Sequence, residues 1–270
     1  MIKPAEISKI ANALGIRDTQ IEKDYVIGWV LKGISNNEYL KEYLIFKGGT
    51  ALRKIYIHDY RLSEDMDFTY SGDDCKTEEI KNHFEGLISW LFEEARIYLS
   101  IRDEKVHQTG NYNFYLGYTG PLGGTGANKS IKIDIAVDEL ICDAPVEQNV
   151  YNEYSDLKEN YSILCYTPGE IITEKMRSLM QRTMPRDLYD TWYLFERENY
   201  NIEDFILNFR KKMEFKKLNT GDFVKEIQDK KERFKRQWDE HLINQIKEIP
   251  EFEEVWRRLR KHWKKFESAA

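Results

Sequence analysis

The sequence predicts an α+β fold: a first lobe of helices around a short mixed sheet, then an all-helical C-terminal lobe. Three observations carry this. Short apolar or alternating runs, the mark of strands, recur only before residue 168. From Pro168 onward nearly every segment has helical periodicity. Charge divides the chain as well: residues 1–199 hold 23 basic against 33 acidic residues, and residues 200–270 hold 18 against 14. The lobes are expected to cover 1–160 and 161–270, with the boundary inside 145–168.

The elements follow in order. Residues 4–14 and 18–35 read as helices, the second because Ile21, Tyr25, Gly28/Trp29 and Lys32 recur near helical spacing. Residues 44–46 form a short apolar strand, Gly48-Gly49 breaks the chain, and 50–57 returns to a helical pattern. Residues 65–69 alternate polar and apolar, as a half-buried strand does. Residues 76–96 are helical, and 97–107 with 111–119 form a hairpin around Gly110-Asn111. Gly120, Gly123, Gly124 and Gly126 mark 120–129 as a mobile loop. Residues 131–137 alternate again and 162–166 is a short strand. Helices are expected at 168–183, 186–198 and 201–213, with long ones between 219 and 267.

Composition narrows the class. The 36 aromatics and 41% apolar residues are enough for a sizeable core. No apolar run approaches the roughly 20 residues of a membrane span, so no membrane association is expected. Met1-Ile2-Lys3-Pro4-Ala5-Glu6 has no signal-peptide core. Cys75, Cys142 and Cys165 are widely spaced and the five histidines are scattered, so neither a disulfide framework nor a Cys or His zinc site is expected. A cytoplasmic protein fits best.

The chemistry-bearing residues are carboxylates. On a strand over 65–69, Asp65 and Asp67 face one side and Met66 and Phe68 the core. Two like charges on one face call for compensation, and a hard divalent cation held by carboxylates supplies it; the alternative is a solvent-facing strand with ordinary aspartates. Before them, Lys47-Gly48-Gly49-Thr50 joins a strand to a helix, which exposes backbone N–H groups to an anion; the alternative is a plain turn with Thr50 as N-cap. In 131–137 the apolar set Ile131, Ile133, Ile135 and Val137 leaves Lys132 and Asp134 on the other face, so Asp134 completes a candidate triad.

In the helical lobe, Thr167-Pro168-Gly169-Glu170 fits a capping box, which makes Glu170 structural. Lys175, Ser178 and Arg182 share the next helix's polar face. Asp187 and Asp190 follow as i, i+3 partners, open to an ion pair with Arg182 or Arg186. Two basic clusters close the chain: one around Arg210, Lys211 and Lys212, the other Arg257, Arg258, Arg260 and Lys261 with Trp256 and Trp263 interleaved. They read either as solvated faces or as a polyanion surface, and the aromatics as core, partner contact or stacking platform.

Together these stretches (Gly48-Gly49-Thr50-Ala51-Leu52-Arg53, Arg61-x-Ser63-x-Asp65-x-Asp67-Phe68, Lys132-x-Asp134-Ile135, Lys175, and Arg186-Asp187-x-Tyr189-Asp190) resemble the AbiEii nucleotidyltransferase toxins of the DNA polymerase β-like superfamily. The likeness runs from about residue 47 to 195. It implies a minimal nucleotidyltransferase lobe followed by a helical lobe with the active site between them. It also implies a toxin of a bacterial toxin–antitoxin or abortive-infection (phage defence) system with a cognate antitoxin. Such enzymes use an NTP and Mg²⁺ or Mn²⁺, and some members modify the acceptor end of tRNA. On that basis Asp65, Asp67 and Asp134 would hold the metal, and Asp134 would accept the proton of the attacking hydroxyl. Gly48, Gly49 and Thr50, the last by its hydroxyl and N–H, would cradle phosphates. Lys175 would neutralise the triphosphate, with Arg53, Arg182, Asp187 and Asp190 also at the nucleotide, and the basic clusters would bind RNA. The rival readings are transfer to a protein or small-molecule hydroxyl and a silent nucleotide- or partner-binding module.

Overall fold

A computed structural model describes residues 1–126 and 129–269. The chain divides into two compact units. One comprises Met1–Glu139 and Pro145–Tyr166, and the other comprises Leu140–Ala144 and the chain from Thr167 onward.

The first unit is built on a seven-stranded mixed sheet. Helices α1 (Pro4–Leu14), α2 (Asp18–Asn36) and α3 (Glu38–Tyr43) lead into strand β1 (Leu44–Lys47). A short α4 (Gly48–Ala51) widens into a π-helical turn, Leu52–Tyr56. Strand β2 (Asp65–Tyr70), helix α5 (Thr77–Ala95), the hairpin β3 (Tyr98–Val106) and β4 (Tyr112–Thr119), and strands β5 (Ser130–Ala136), β6 (Val146–Asn149) and β7 (Ser162–Cys165) complete it. The strand order is β3-β4-β5-β2-β1-β7-β6, parallel at β5/β2 and β1/β7 and antiparallel elsewhere. The alternation expected for 65–69 and 131–137 is real. Met66, Phe68, Ile133 and Ile135 are buried, and Phe114 meets Phe84 of α5 edge-on at 5.0 Å. The opposite face carries Asp65, Asp67, Lys132 and Asp134.

Three local readings change. Helix α3 and strand β6 are additions to the expected elements. The first is six residues long and capped by Asn37, whose side chain accepts from Leu40 N. The second is a polar Val-Glu-Gln-Asn edge strand without alternation. Thr50 is not an N-cap: the helix starts two residues earlier, with Lys47 as N-cap and Gly48 at φ +82°. The Gly-rich segment has no strand or helix among its described residues, and 127 and 128 lie outside them. Both of its ends are tied to α2, because the buried Glu22 accepts from Leu122 N (2.7 Å) and pairs with Lys129 (2.8 Å).

The second unit is helical: α6 (Pro168–Gln181), α7 (Pro185–Glu196), a 3₁₀ turn Ile202–Phe205, α8 (Ile206–Phe215), α9 (Phe223–Asp229), α10 (Lys231–Leu242) and α11 (Phe252–Ala269). Half of the capping box forms, with Thr167 Oγ1 accepting from Glu170 N at 3.1 Å. The Glu170 carboxylate does something else: fully buried, it accepts from Cys142 N and Asp143 N and pairs with Lys212 at 2.7 Å. That bond ties Leu140–Ala144 into the helical unit. Trp238, Trp256 and Trp263 are core, with Trp256 and Trp263 edge-on at 4.9 Å. The stacking-platform reading of these rings therefore fails: the apolar side of α11 needs them, and only the charged side faces outward. Among the described residues no helix is long and apolar enough to cross a membrane.

Candidate active site

In the sheet unit the carboxylates stand on one row. Pairing of β2 with its two neighbours puts Asp67 between Lys47 on β1 and Asp134 on β5, and β4 adds Asn113 beyond Asp134. One register step away, Asp65 pairs with Lys132. Adjacent strands are about 4.8 Å apart, so these side chains are neighbours by construction. An open cleft of about 240 Å³ lies over the row, lined by Lys47, Asp67 and Asp134 and by His107, Asn111 and Asn113 of the β3–β4 end.

The Gly-Gly turn is fitted to this row. A Cβ on Gly48 would collide with Asp67 Oδ2, and one on Gly49 would sit 2.7 Å from Arg61 Nη2. Gly48 also has a positive φ that only glycine adopts without strain. Thr50 is buried and its hydroxyl donates to the Asp65 carbonyl. It thus ties α4 to β2 and, contrary to the expectation from sequence, does not point its donor outward for a phosphate. Lys47 is buried with its ammonium 5.5 Å from the Tyr166 ring centre.

The three aspartates bring the right donors for a hard cation, all carboxylate oxygens on one sheet face. Among the described residues no three His, Cys, Asp or Glu side chains are gathered at metal-ligand spacing. Asp134 Oδ2 accepts from Lys132 Nζ at 2.6 Å. Burial opposes the charge on Lys132, but its bond to Asp134 and the nearby charges of Asp134 and Asp65 hold its pKa above the usual lysine range.

Arg53 is not at this site. Its guanidinium is buried, donating to Asp24 Oδ1 (3.1 Å) and the Tyr60 carbonyl (2.8 Å) and lying 3.5 Å from Glu153. Lys54 pairs with the other Asp24 oxygen at 2.6 Å, and Tyr154 donates to it at 2.7 Å. Burial alone would raise the Asp24 carboxyl, yet the two cations drive it far below the carboxylate range. A buried aspartate on α2 therefore claims the arginine expected at the nucleotide, since leaving either charge unpaired would cost far more.

In the helical unit Lys175 is the centre of a second cluster. Its ammonium pairs with Asp187 (2.8 Å) and Asp190 (2.9 Å), and Arg182 Nε reaches Asp187 Oδ2 at 2.7 Å. Both aspartates are buried against that ammonium. Burial pushes the Asp187 carboxyl up, but Lys175 and Arg182 win and hold it below the ordinary range. Of the basic residues, Arg210, Lys211, Arg257, Arg260 and Lys261 are exposed. Arg258 is exposed but paired with Glu196 and Glu254. Lys212 is not a surface cation at all: it is 2% exposed, spent on Glu170 and the Leu140 carbonyl.

Sequence reasoning misses Arg61, Ser63 and the His107–Asn113 side of the cleft as site residues. Arg61 and Ser63 lie inside the quoted motif, which is their only signal in the sequence; the structure brings both against Gly49.

Comparison with known proteins agrees with this architecture. The family model "Nucleotidyl transferase AbiEii toxin, Type IV TA system" matches residues 29–269. MenT4, a nucleotidyltransferase toxin of Mycobacterium tuberculosis H37Rv, superposes with TM-score 0.70 at 16% identity, covering 100% of this chain and 91% of that one. JHP933 from Helicobacter pylori superposes at 0.55, also at 16% identity, covering 94% of each chain. No curated protein matches the sequence. At these identities the structures establish the fold, a nucleotidyltransferase-toxin fold, and the family model establishes the kinship. This chain belongs to the AbiEii nucleotidyltransferase toxin family of type IV toxin–antitoxin systems, and it is a nucleotidyltransferase.

Proposed function

We propose that this enzyme transfers NMP from an NTP to an RNA hydroxyl, the 3′ end of tRNA foremost, and releases pyrophosphate. The observation that carries the reading is the row of Asp67 beside Asp134, with Asp65 one step away, on one open sheet face. Asp65, Asp67 and Asp134 would hold Mg²⁺ or Mn²⁺. Such an ion, when bound, offsets the charge of the phosphates and of the displaced oxygens. The chain's own residues do the rest. Asp134 would take the proton of the attacking hydroxyl as the new O–P bond forms and the bond to pyrophosphate breaks. The backbone at Gly48 and Gly49 would face the phosphates, and Lys175, fixed by Asp187 and Asp190, would supply a positioned cation. Arg182 stands beside it. Most of the rate in such reactions comes from positioning and electrostatics.

The acceptor side rests on charge. The carboxylate lobe is acidic and would repel RNA, so the exposed cations Arg210, Lys211, Arg257, Arg258, Arg260 and Lys261 would bind its backbone. A cognate antitoxin and a role in phage defence in the cytoplasm are what the family implies. The test is transfer in vitro: each of the four α-labelled NTPs, divalent ion, and tRNA or total RNA, with an Asp65→Ala/Asp67→Ala control. Labelled RNA that vanishes in the control supports the reading. Label on protein or on a small molecule moves the acceptor to that class, and no turnover with any NTP overturns the transfer reading.

A further inference from the structure

Lys132 is a cation placed inside an anion cluster. It shares a sheet face with Asp134 on the same strand and pairs in register with Asp65 on the next. Residues two apart on a strand are separated by nearly 7 Å. The lysine stem must therefore run along its own strand to bring Nζ within 2.6 Å of Asp134 Oδ2. The side chains of both partners remain about a third exposed, 35% and 32%, so little holds the pair shut. Lys47, on the Asp67 side of the row, is buried, whereas Lys132 is not.

We propose that Lys132 is a built-in counter-cation: it neutralises Asp134, the cross-strand neighbour of Asp67, until a divalent ion takes its place, and it is displaced from Asp134 when that ion binds. This rests on the reading of Asp65, Asp67 and Asp134 as ion ligands. It accounts for the lysine's pairing with Asp134 on that face. It also assigns the lysine a second position: once displaced, its ammonium stays within a stem's length of a site that receives a polyphosphate. Ion and nucleotide then favour each other, because the nucleotide offers the displaced lysine a new partner.

The test is direct binding of Mn²⁺ to the full chain without nucleotide, followed by the electron-spin resonance of the free ion. The variants are Lys132→Met, Lys132→Arg and Asp67→Asn, each checked for native circular dichroism. Removing the competing charge is expected to tighten Mn²⁺ binding about tenfold or more in Lys132→Met. Lys132→Arg keeps the charge and should stay near wild type, while Asp67→Asn should lose binding. Equal affinity in wild type and Lys132→Met, with Asp67→Asn still deficient, would overturn the counter-cation role and leave the ion site standing. Absence of binding in every variant would overturn both.

Discussion

Asp67 and Asp134 are direct partners across the parallel β2/β5 pairing. Two carboxylates side by side repel, so the fold keeps them at a cost and activity should depend on both. Asp67→Asn is expected to lower transfer about 10²–10³-fold. A cooperative thermal transition in the variant should show that the lost rate is not a lost fold. Initial rates with labelled NTP and a thermal melt on the same preparation check both halves.

Gly48 sits against Asp67 at positive φ. Gly48→Ala adds a methyl group that collides with the Asp67 carboxylate and strains the backbone. The expected cost is about 1–3 kcal/mol of stability together with loss of transfer. Urea unfolding measures the first and initial rates the second. A Gly86→Ala control, where a Cβ meets nothing within 4 Å, should leave transfer unchanged and not destabilise its helix.

How much of this was legible depended on the distance over which each pairing acts. Alternation in 65–69 and 131–137 placed Asp65, Asp67 and Asp134 on polar faces without knowledge of the fold, because strand period is a local property. Their adjacency was not legible: β2 and β5 are joined through α5 and a hairpin, and no local signal sets that register. Arg53 and Lys212 failed for the same reason. The first is claimed by Asp24, 29 residues earlier, and the second by Glu170, 42 residues earlier. A lysine or arginine reads as a surface cation until its buried partner is known.

The Asp24 cluster should behave as structure. Asp24→Asn leaves Arg53 and Lys54 buried without their shared anion, and removal of one partner from a buried pair costs about 3–5 kcal/mol. Denaturant unfolding should show that loss. Removing one of the two stranded cations as well, in Asp24→Asn/Lys54→Met, should recover part of it, which a role at the nucleotide would not predict.

Asp187 gives a pH signature. Its folded pKa lies below the unfolded value of 3.8, so its contribution to stability is present above that value and disappears as pH falls through the lower, folded one. Asp187→Asn should therefore be destabilised relative to wild type by about 3 kcal/mol at neutral pH. The gap should narrow progressively once pH drops below 3.8. Melting curves of both proteins from about pH 7 down to about pH 2.5 would show the two converging; a constant gap would mean that the Lys175 and Arg182 pairings do not stabilise the aspartate's charge.

The basic residues separate by burial into two kinds of consequence. Arg257, Arg260 and Lys261 are exposed on α11, and charge reversal there should weaken RNA binding uniformly across sequences. It should also flatten the salt dependence, by nearly one unit of log–log slope for each phosphate that is no longer neutralised. The same change leaves the Trp256 and Trp263 side of the helix untouched, so the melting temperature should hold. Lys212→Ala should do the reverse. Its loss strands a fully buried Glu170 and loosens Leu140–Ala144, so the protein should be destabilised by about 3–5 kcal/mol while RNA binding by the fraction that remains folded keeps its salt slope. Fluorescence anisotropy of a labelled tRNA between about 50 and 200 mM salt distinguishes the two. A flattened slope in Lys212→Ala would mean that this buried lysine reaches RNA after all.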